Sequence, residues 1–316
     1  MRWLLPSMLL GALILLQVPL VSGAGDKDKD KKADGKAETK DKEHILVVPP
    51  VGDKEVKLID YRFTAGTKRL ALTEASVKPK TPAGPEYFEF RDDKSTTYKN
   101  GIFTYIPLAS LRKIAYDREK KTVSVVALND AGEDVTLNGS TNFANRNRLT
   151  IEAEAIIDGL GAASIKYNGG IEKGGLQSVA FPSPKASEKV KGSPSVITAD
   201  DKEKSKHTAY DVQPVYLVDG EYRIVPYIMF KKTVKVDMHK LAGFRFIPSE
   251  DKKKLSTDYE VTLRDGAKHT LSILTAVEND KKKMTLVGLI GRVPVGYKLF
   301  SVDAIFEYRA EDAKKE

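Results

Sequence analysis

Two carboxylates at alternate positions, Glu152 and Glu154, lie in the run Leu149-Thr150-Ile151-Glu152-Ala153-Glu154-Ala155-Ile156-Ile157. Apolar and polar residues alternate there, which predicts a strand, so both acids project from one face about 7 Å apart along it. That separation suits the acid and base of a glycosidase, and the pair are the candidate catalytic residues of a secreted hydrolase acting on polysaccharide or ester. The same alternation describes a solvated strand face with Ile151, Ala153 and Ala155 turned inward. The solvated face is the reading adopted, and no catalytic set is assigned.

Other chemistry-bearing residues are sparser. Of four histidines, His44 and His207 fall at the edges of polar stretches and read as solvated, while His239 and His269 lack a carboxylate or second histidine at ligand spacing. Asp26, Asp28 and Asp30 begin like a calcium loop, but Lys31 stands where the turn glycine belongs and Ala37 where the bidentate glutamate belongs. Gly159-Leu160-Gly161 follows a strand, yet Ser164 to Gly170 is too rich in β-branched residue, tyrosine and glycine to start the helix a dinucleotide needs. With no cysteine in the chain, thiol nucleophiles, thiolate metal sites and iron–sulfur ligation are excluded. Neither cofactor nor metal is expected.

Lysines cluster at Lys231-Lys232, Lys252-Lys253-Lys254 and Lys281-Lys282-Lys283, joined by Arg146 and Arg148. These are the candidate binding residues, on a chain of net charge +8 that would feel an anionic envelope polymer. Nucleic acid is not expected, because phosphate binding favours arginine with interleaved aromatics. Lysine-rich hairpin tips that discourage edge-to-edge association explain the clusters more simply.

The ends of the chain set its expected location. Residues 4–21 are almost wholly apolar after Met1-Arg2-Trp3, and Ser22-Gly23-Ala24 supplies the small residues of a cleavage site. A signal peptide over 1–24 is expected, giving a secreted or periplasmic protein with no transmembrane anchor. Residues 25–43 alternate acid and base without large apolar side chains, which predicts a disordered spacer reaching about 25 Å.

Beyond the spacer, short runs rich in valine, isoleucine, threonine and aromatics alternate with turn signals, the pattern of an all-β chain. Asn100-Gly101, Asp130-Ala131-Gly132, Asn138-Gly139 and Asp265-Gly266 read as turns. One block recurs. Ile106, Leu108, Leu111, Ile114 and Tyr116 are matched by Val236, Met238, Leu241, Phe244 and Phe246 at the same spacing. Residues 107–112 are expected to form one helical turn before the chain extends. Two further matches follow in order, Leu149-Thr150-Ile151 with Met284-Thr285-Leu286 and residues 176–179 with 299–302. Recurrence predicts two related tandem β modules, at 44–182 and 207–311, with a linker over 183–206 and a charged tail over 312–316.

Val261-Thr262-Leu263-Arg264-Asp265-Gly266 and Met284-Thr285-Leu286-Val287-Gly288 resemble the hairpins of a small SH3-like or Sm-like barrel, over about half of each module. The resemblance implies a partly open barrel, with a β-sandwich as the alternative, and implies no activity. The function expected is an exported, non-enzymatic binding or structural protein of the envelope or extracellular space, whose partner is an anionic envelope polymer or another envelope protein. The alternatives are the hydrolase above and a basic surface that docks on anionic polymers.

Overall fold

A computed structural model describes residues 44–48, 55–65, 67–69, 86–91, 101–140, 149–157, 161–169, 175–200, 203–218, 221–231, 234–248, 258–273, 276–279 and 282–311. The expected signal peptide, spacer and charged tail lie outside the described residues. So do residues 70–85. Residues 41–316 form one compact unit. Its described residues are nearly all strand, in antiparallel sheets, and among them no helix is long and apolar enough to cross a membrane.

The first half comprises β1 (His44–Val48), β2 (Val56–Ala65), β3 (Thr67–Arg69), β4 (Glu86–Arg91), β5 (Ile102–Pro107), β6 (Leu111–Asp117), β7 (Thr122–Leu128), β8 (Asp134–Ser140), β9 (Thr150–Ile157), β10 (Gly161–Gly169), β11 (Gly175–Leu176) and β12 (Ser178–Ala180). Alternation does the work in β7, where Val123, Val125 and Ala127 are buried and Ser124 and Val126 are not. The β7–β8 turn closes with Gly132 at φ 83, while the Asn129 side chain accepts from the amides of Ala131 and Glu133.

The second half comprises β13 (Pro194–Ala199), β14 (Lys206–Val218), β15 (Glu221–Ile224), β16 (Tyr227–Phe230), β17 (Val234–Asp237), β18 (Leu241–Phe246), β19 (Asp258–Leu263), β20 (Lys268–Ser272), β21 (Ala276–Asn279), β22 (Lys282–Val293), β23 (Gly296–Ser301) and β24 (Ile305–Ala310). Its β19–β20 turn mirrors that of β7–β8, with Gly266 at φ 89 and the Asp265 carboxylate accepting from the Ala267 amide.

One sheet runs β8-β7-β6-β12-β1-β2-β9-β10-β11. A second runs β20-β19-β18-β24-β13-β14-β22-β23-β5-β4-β3, and β16 with β17 forms a third, two-stranded sheet. From β8 to β10 and from β20 to β23 the strands follow one another in the same chain order. Two irregularities also coincide. The β6–β7 ladder skips a residue between Leu111 and Lys113, and β18–β19 skips one between Leu241 and Gly243. The β2–β9 ladder skips between Ile59 and Arg62, and β14–β22 skips between Tyr210 and Gln213. The block that recurs in the sequence is a strand, a single 3-10 turn and a strand in both places, with turns at Leu108–Ser110 and Met238–Lys240. The expected helical turn is therefore present, shorter and tighter than anticipated.

Two apolar cores form, and hairpin β4–β5 of the second sheet contributes Phe88, Phe90 and Ile106 to the first. Leu58, Leu111, Ile114, Val125, Leu149 and Ile151 lie at the centre of the first, and Tyr216, Phe230, Leu241, Val261, Leu289 and Phe300 at the centre of the second. The first sheet curls on itself. A Cβ on Gly169 of β10 would lie 2.6 Å from the Tyr116 hydroxyl of β6, although four strands separate them in the hydrogen-bonded order. Burial of each large apolar side chain contributes about 1.5–3 kcal/mol, so these cores carry a chain that has no disulfide.

The halves are joined by pairing rather than by a free linker. Strand β5 pairs with β23, Tyr105 opposite Tyr297 and Phe103 opposite Leu299, so hairpin β4–β5 extends the second sheet. A satellite cluster of Tyr87, Tyr105, Val215, Ile290 and Leu299 covers this seam. Within the expected linker, Pro194–Ala199 is a strand paired on both sides, with Ile197 fully buried. Pro194 opens that strand, where a missing amide is tolerated. Asn138 and Gly139 stand inside β8 opposite Ser124 and Val123, where a long ladder outweighs local turn preference.

Candidate functional site: a charged cleft at the seam

Residues 181–193 leave β12 as an extended strap across the first half. The Lys185 amide donates to the Ala109 carbonyl at 2.7 Å and the Ser187 amide to that of Asn129 at 3.1 Å. The buried Ser187 hydroxyl donates to the Leu128 carbonyl at 3.0 Å and lies 3.2 Å from the Ser110 hydroxyl, from which it can accept. The Val190 amide then donates to the Asp130 carboxylate at 3.1 Å. These bonds fix the strap to the 3-10 turn within the apolar block and to the β7–β8 turn.

So held, the strap delivers Glu188, Lys189 and Lys191 to Asp211 and Arg292 of the second half, around a cavity of about 570 Å³. Asp211 lies in the shared bulge of β14 with φ 49, a conformation that aspartate tolerates better than most side chains. Gly192 has φ 99, which favours glycine, and the Asp211 carboxylate packs against its Cα side, 1.9 Å from where a Cβ would stand.

Arg292 donates to Glu188 at 3.2 Å, and its guanidinium lies 5.4 Å from the Tyr297 ring centre. The Tyr297 ring meets Tyr87 edge-on at 5.8 Å. Desolvation pushes the Tyr87 phenol up to about 12, with Tyr297 and Glu188 adding to the rise. Tyr297 is raised by the same burial. Both phenols therefore remain neutral and able to donate hydrogen bonds at ordinary pH. Lys189, Lys191 and Arg292, with the carboxylates of Glu188 and Asp211, line the cleft and can grip a polar or anionic group.

No protein-family model, curated protein or solved structure matches this chain. The functional reading rests on the residues themselves.

The candidates drawn from the sequence are dispersed. Glu152 pairs with Lys166 of β10 at 2.7 Å, and that hydrogen bond and charge hold its carboxyl below the usual glutamate range, with Arg62 assisting. A glycosidase acid requires the opposite shift. Glu154 is exposed on the same strand face, opposite Ser164. The shared bulge aligns Glu152 with Ile290 and Glu154 with Arg292, in place of the Val287 and Leu289 alignment that residue spacing suggests.

Arg146, Arg148, Lys252, Lys253, Lys254 and Lys281 lie outside the described residues. Lys282 and Lys283 open β22 opposite Asn279 and Glu278. His239 and His269 are exposed, whereas His207, expected in solvent, is half-buried with its ring 5.4 Å from Phe300. The neighbouring linker residues are strand here, which draws His207 into the sheet. Among the described residues no group of three or more His, Cys, Asp or Glu is placed to hold a metal ion.

None of the five cleft residues stands out in the sequence: Glu188, Lys189 and Lys191 fall in the expected linker, and Asp211 and Arg292 lie within strands of the second half. The detectable signal was Tyr210-Asp211-Val212-Gln213, where β14 loses its alternation at the bulge.

Proposed function

We propose that this is an exported, non-enzymatic binding or structural component of the cell envelope or extracellular space, built from two copies of one β module. The carrying observation is the repeated strand order, reinforced by two coincident bulges and two matching strand–turn–strand blocks. A duplicated unit sealed to itself by hairpin β4–β5 makes a rigid platform, and the strap adds a polar cleft at its seam. The paired, surface position of Glu152 supports binding over hydrolysis. Export is supported by the apolar start of the chain and the small residues ending at Ala24.

The test is a binding experiment with immobilised protein against envelope fractions and acidic polysaccharide. Its control is a variant carrying Lys189→Ala, Lys191→Ala and Arg292→Ala. Retention by the native chain that the triple variant loses, and that weakens with added salt, is the expected result. Equal retention by both chains would remove the cleft from the reading, and no retention by either would remove binding. Mass determination of the mature chain from its source checks export, with an N-terminus at Gly25 expected.

A further inference from the structure

The seam pairs a hairpin of the first half with a sheet edge of the second. If the halves are two copies of one module, the second half has the same hairpin and the first half the same edge. Hairpin β16–β17 is that counterpart. Tyr87, Phe88, Glu89 and Phe90 of β4 stand opposite β5 as Tyr227, Ile228, Met229 and Phe230 of β16 stand opposite β17. Yet β17 pairs only with β16 among the described residues. Strand β10, the counterpart of β23, pairs with β9 along one side. Its other side is met only at Asn168 and Gly169, by β11, among the described residues.

We propose that β17 of one molecule pairs with β10 of a second copy of this chain, repeating between molecules the β5–β23 seam found within one. The inference rests on the two-copy reading above. Its register follows from that seam. Tyr297 lies between Arg292 and Tyr105. The shared bulge aligns Arg292 with Glu154, whose partner on β10 is Ser164, and the recurrent block aligns Tyr105 with Lys235. Ser164 therefore faces Lys235, and Ile165 faces Val234.

Exposure and charge favour this occupant. Val234 is 39% exposed, one of two large apolar side chains so exposed among the described residues, while Thr104 at the matching place is 3% exposed. Lys235 is exposed where Tyr105 is wholly buried. Docking would cover Val234 and bring Lys235 to within about 10 Å, two strand spacings, of Glu154 across the small Ser164 side chain. Extended lysine and glutamate side chains span that gap on one face. The contact is head-to-tail, so a pair of molecules still carries one free hairpin and one free edge between them, and assembly grows into a filament or closes as a ring.

Because the chain has no cysteine, disulfide trapping has no background. Two differently tagged copies of the chain, one Ser164→Cys and one Lys235→Cys, are mixed and mildly oxidised. Expected is mixed dimer in about fivefold excess over either like dimer, against the twofold excess of random collision. Replacing Ser164→Cys by Lys166→Cys, two residues out of register, should cut that yield. An intramolecular control, Thr104→Cys with Lys298→Cys, should close within one molecule. Closure of the control with only random intermolecular trapping overturns the assembly and spares the two-copy reading. Failure of the control overturns both. Sedimentation of the unmodified chain should show oligomers growing with concentration and Val234→Lys should return them to monomer. A native chain that stays monomeric at every concentration overturns the proposal.

Discussion

Hairpins β4–β5 and β16–β17 carry related residues and hang from corresponding strands, yet their outer edges differ. The first lies against β23, with Tyr105 fully buried and its hydroxyl donating to Glu89 at 3.1 Å. The second leaves Val234 and Lys235 in solvent. The first hairpin's outer edge is buried in a seam, and the second's is exposed. A lysine on a strand edge resists indiscriminate pairing while leaving a charge-selected partner possible. Similar hairpins thus need not have equivalent surroundings, because the position of each in the chain decides which edge is covered.

The comparison breaks most sharply at one ladder position. The shared bulge places Gly288 of β22 where β9 has Thr150. Thr150 is buried and donates its hydroxyl to Asn168 at 3.1 Å. A Cβ on Gly288 would stand 1.9 Å from the Phe300 carbonyl oxygen, a backbone atom that cannot rotate away. Gly288→Ala is expected to cost on the order of 4 kcal/mol or to abolish soluble protein, whereas Thr150→Gly should cost about 1–2 kcal/mol. Denaturant midpoints measure both. Similar values for the two variants would show that the register match is wrong.

The second test concerns what the halves share. Leu111 and Leu241 each open the strand after a 3-10 turn, and each is wholly buried. Truncating either to alanine should cost about 2–5 kcal/mol, with the two values close together. If only one of them is costly, the turn has a different packing role in each half.

Alkaline pH loads both halves, since burial raises Tyr87 of the first as well as tyrosines of the second. In the second half, burial pushes Tyr216 and Tyr259 up to about 12, from an ordinary 10.0. Their neutral form is the one that folds, so the stability they contribute is full below pH 10 and falls as pH rises through about 12. Tyr259 is set between Phe244 and Phe246, with ring centres 5.4 and 5.5 Å away. Tyr259→Phe should therefore flatten the alkaline loss, read as the denaturant midpoint against pH. An unchanged slope would mean that the phenol is more solvated than its packing indicates.

The all-β character was readable because alternation and turn residues are local properties, as in β7 and at Gly132 and Gly266. Recurrence at Leu111 and Leu241 was readable too, since five apolar positions kept their spacing. The match of Leu176-Gln177-Ser178-Val179 with Leu299-Phe300-Ser301-Val302 does not survive in the ladders. Val179 pairs with Ile114 as Tyr308 pairs with Phe244, so the counterpart of Val179 lies further along the chain. A better signal, Tyr87-Phe88-Glu89-Phe90 with Tyr227-Ile228-Met229-Phe230, was obscured by the adjacent Tyr222-Arg223-Ile224-Val225. Strand β13 was hidden by Gly192 and Pro194, whose roles at a close approach and a strand start depend on distant residues. For the same reason the cleft was invisible: its residues meet only because the strap is tied to turns far away in sequence.

The smallest expected effect lies at Glu152, and it bears on what the first sheet's open face does. In the second half the matching position is Ile290, buried in the seam cluster. In the first it is a carboxylate hydrogen-bonded to Lys166, which lowers its proton affinity, with Arg62 adding a weaker pull against slight desolvation. A depressed value favours the folded state above the ordinary glutamate range and loses that advantage as pH falls. Both partners face water, so the pair contributes little to stability. Carboxyl carbon shifts followed through an acid titration should place Glu152 below the ordinary glutamate range, and Lys166→Ala should move it back up. A midpoint above that range would instead mark a proton donor and revive the hydrolase reading for this face, because only an acid that keeps its proton near neutrality can hand it to a leaving group.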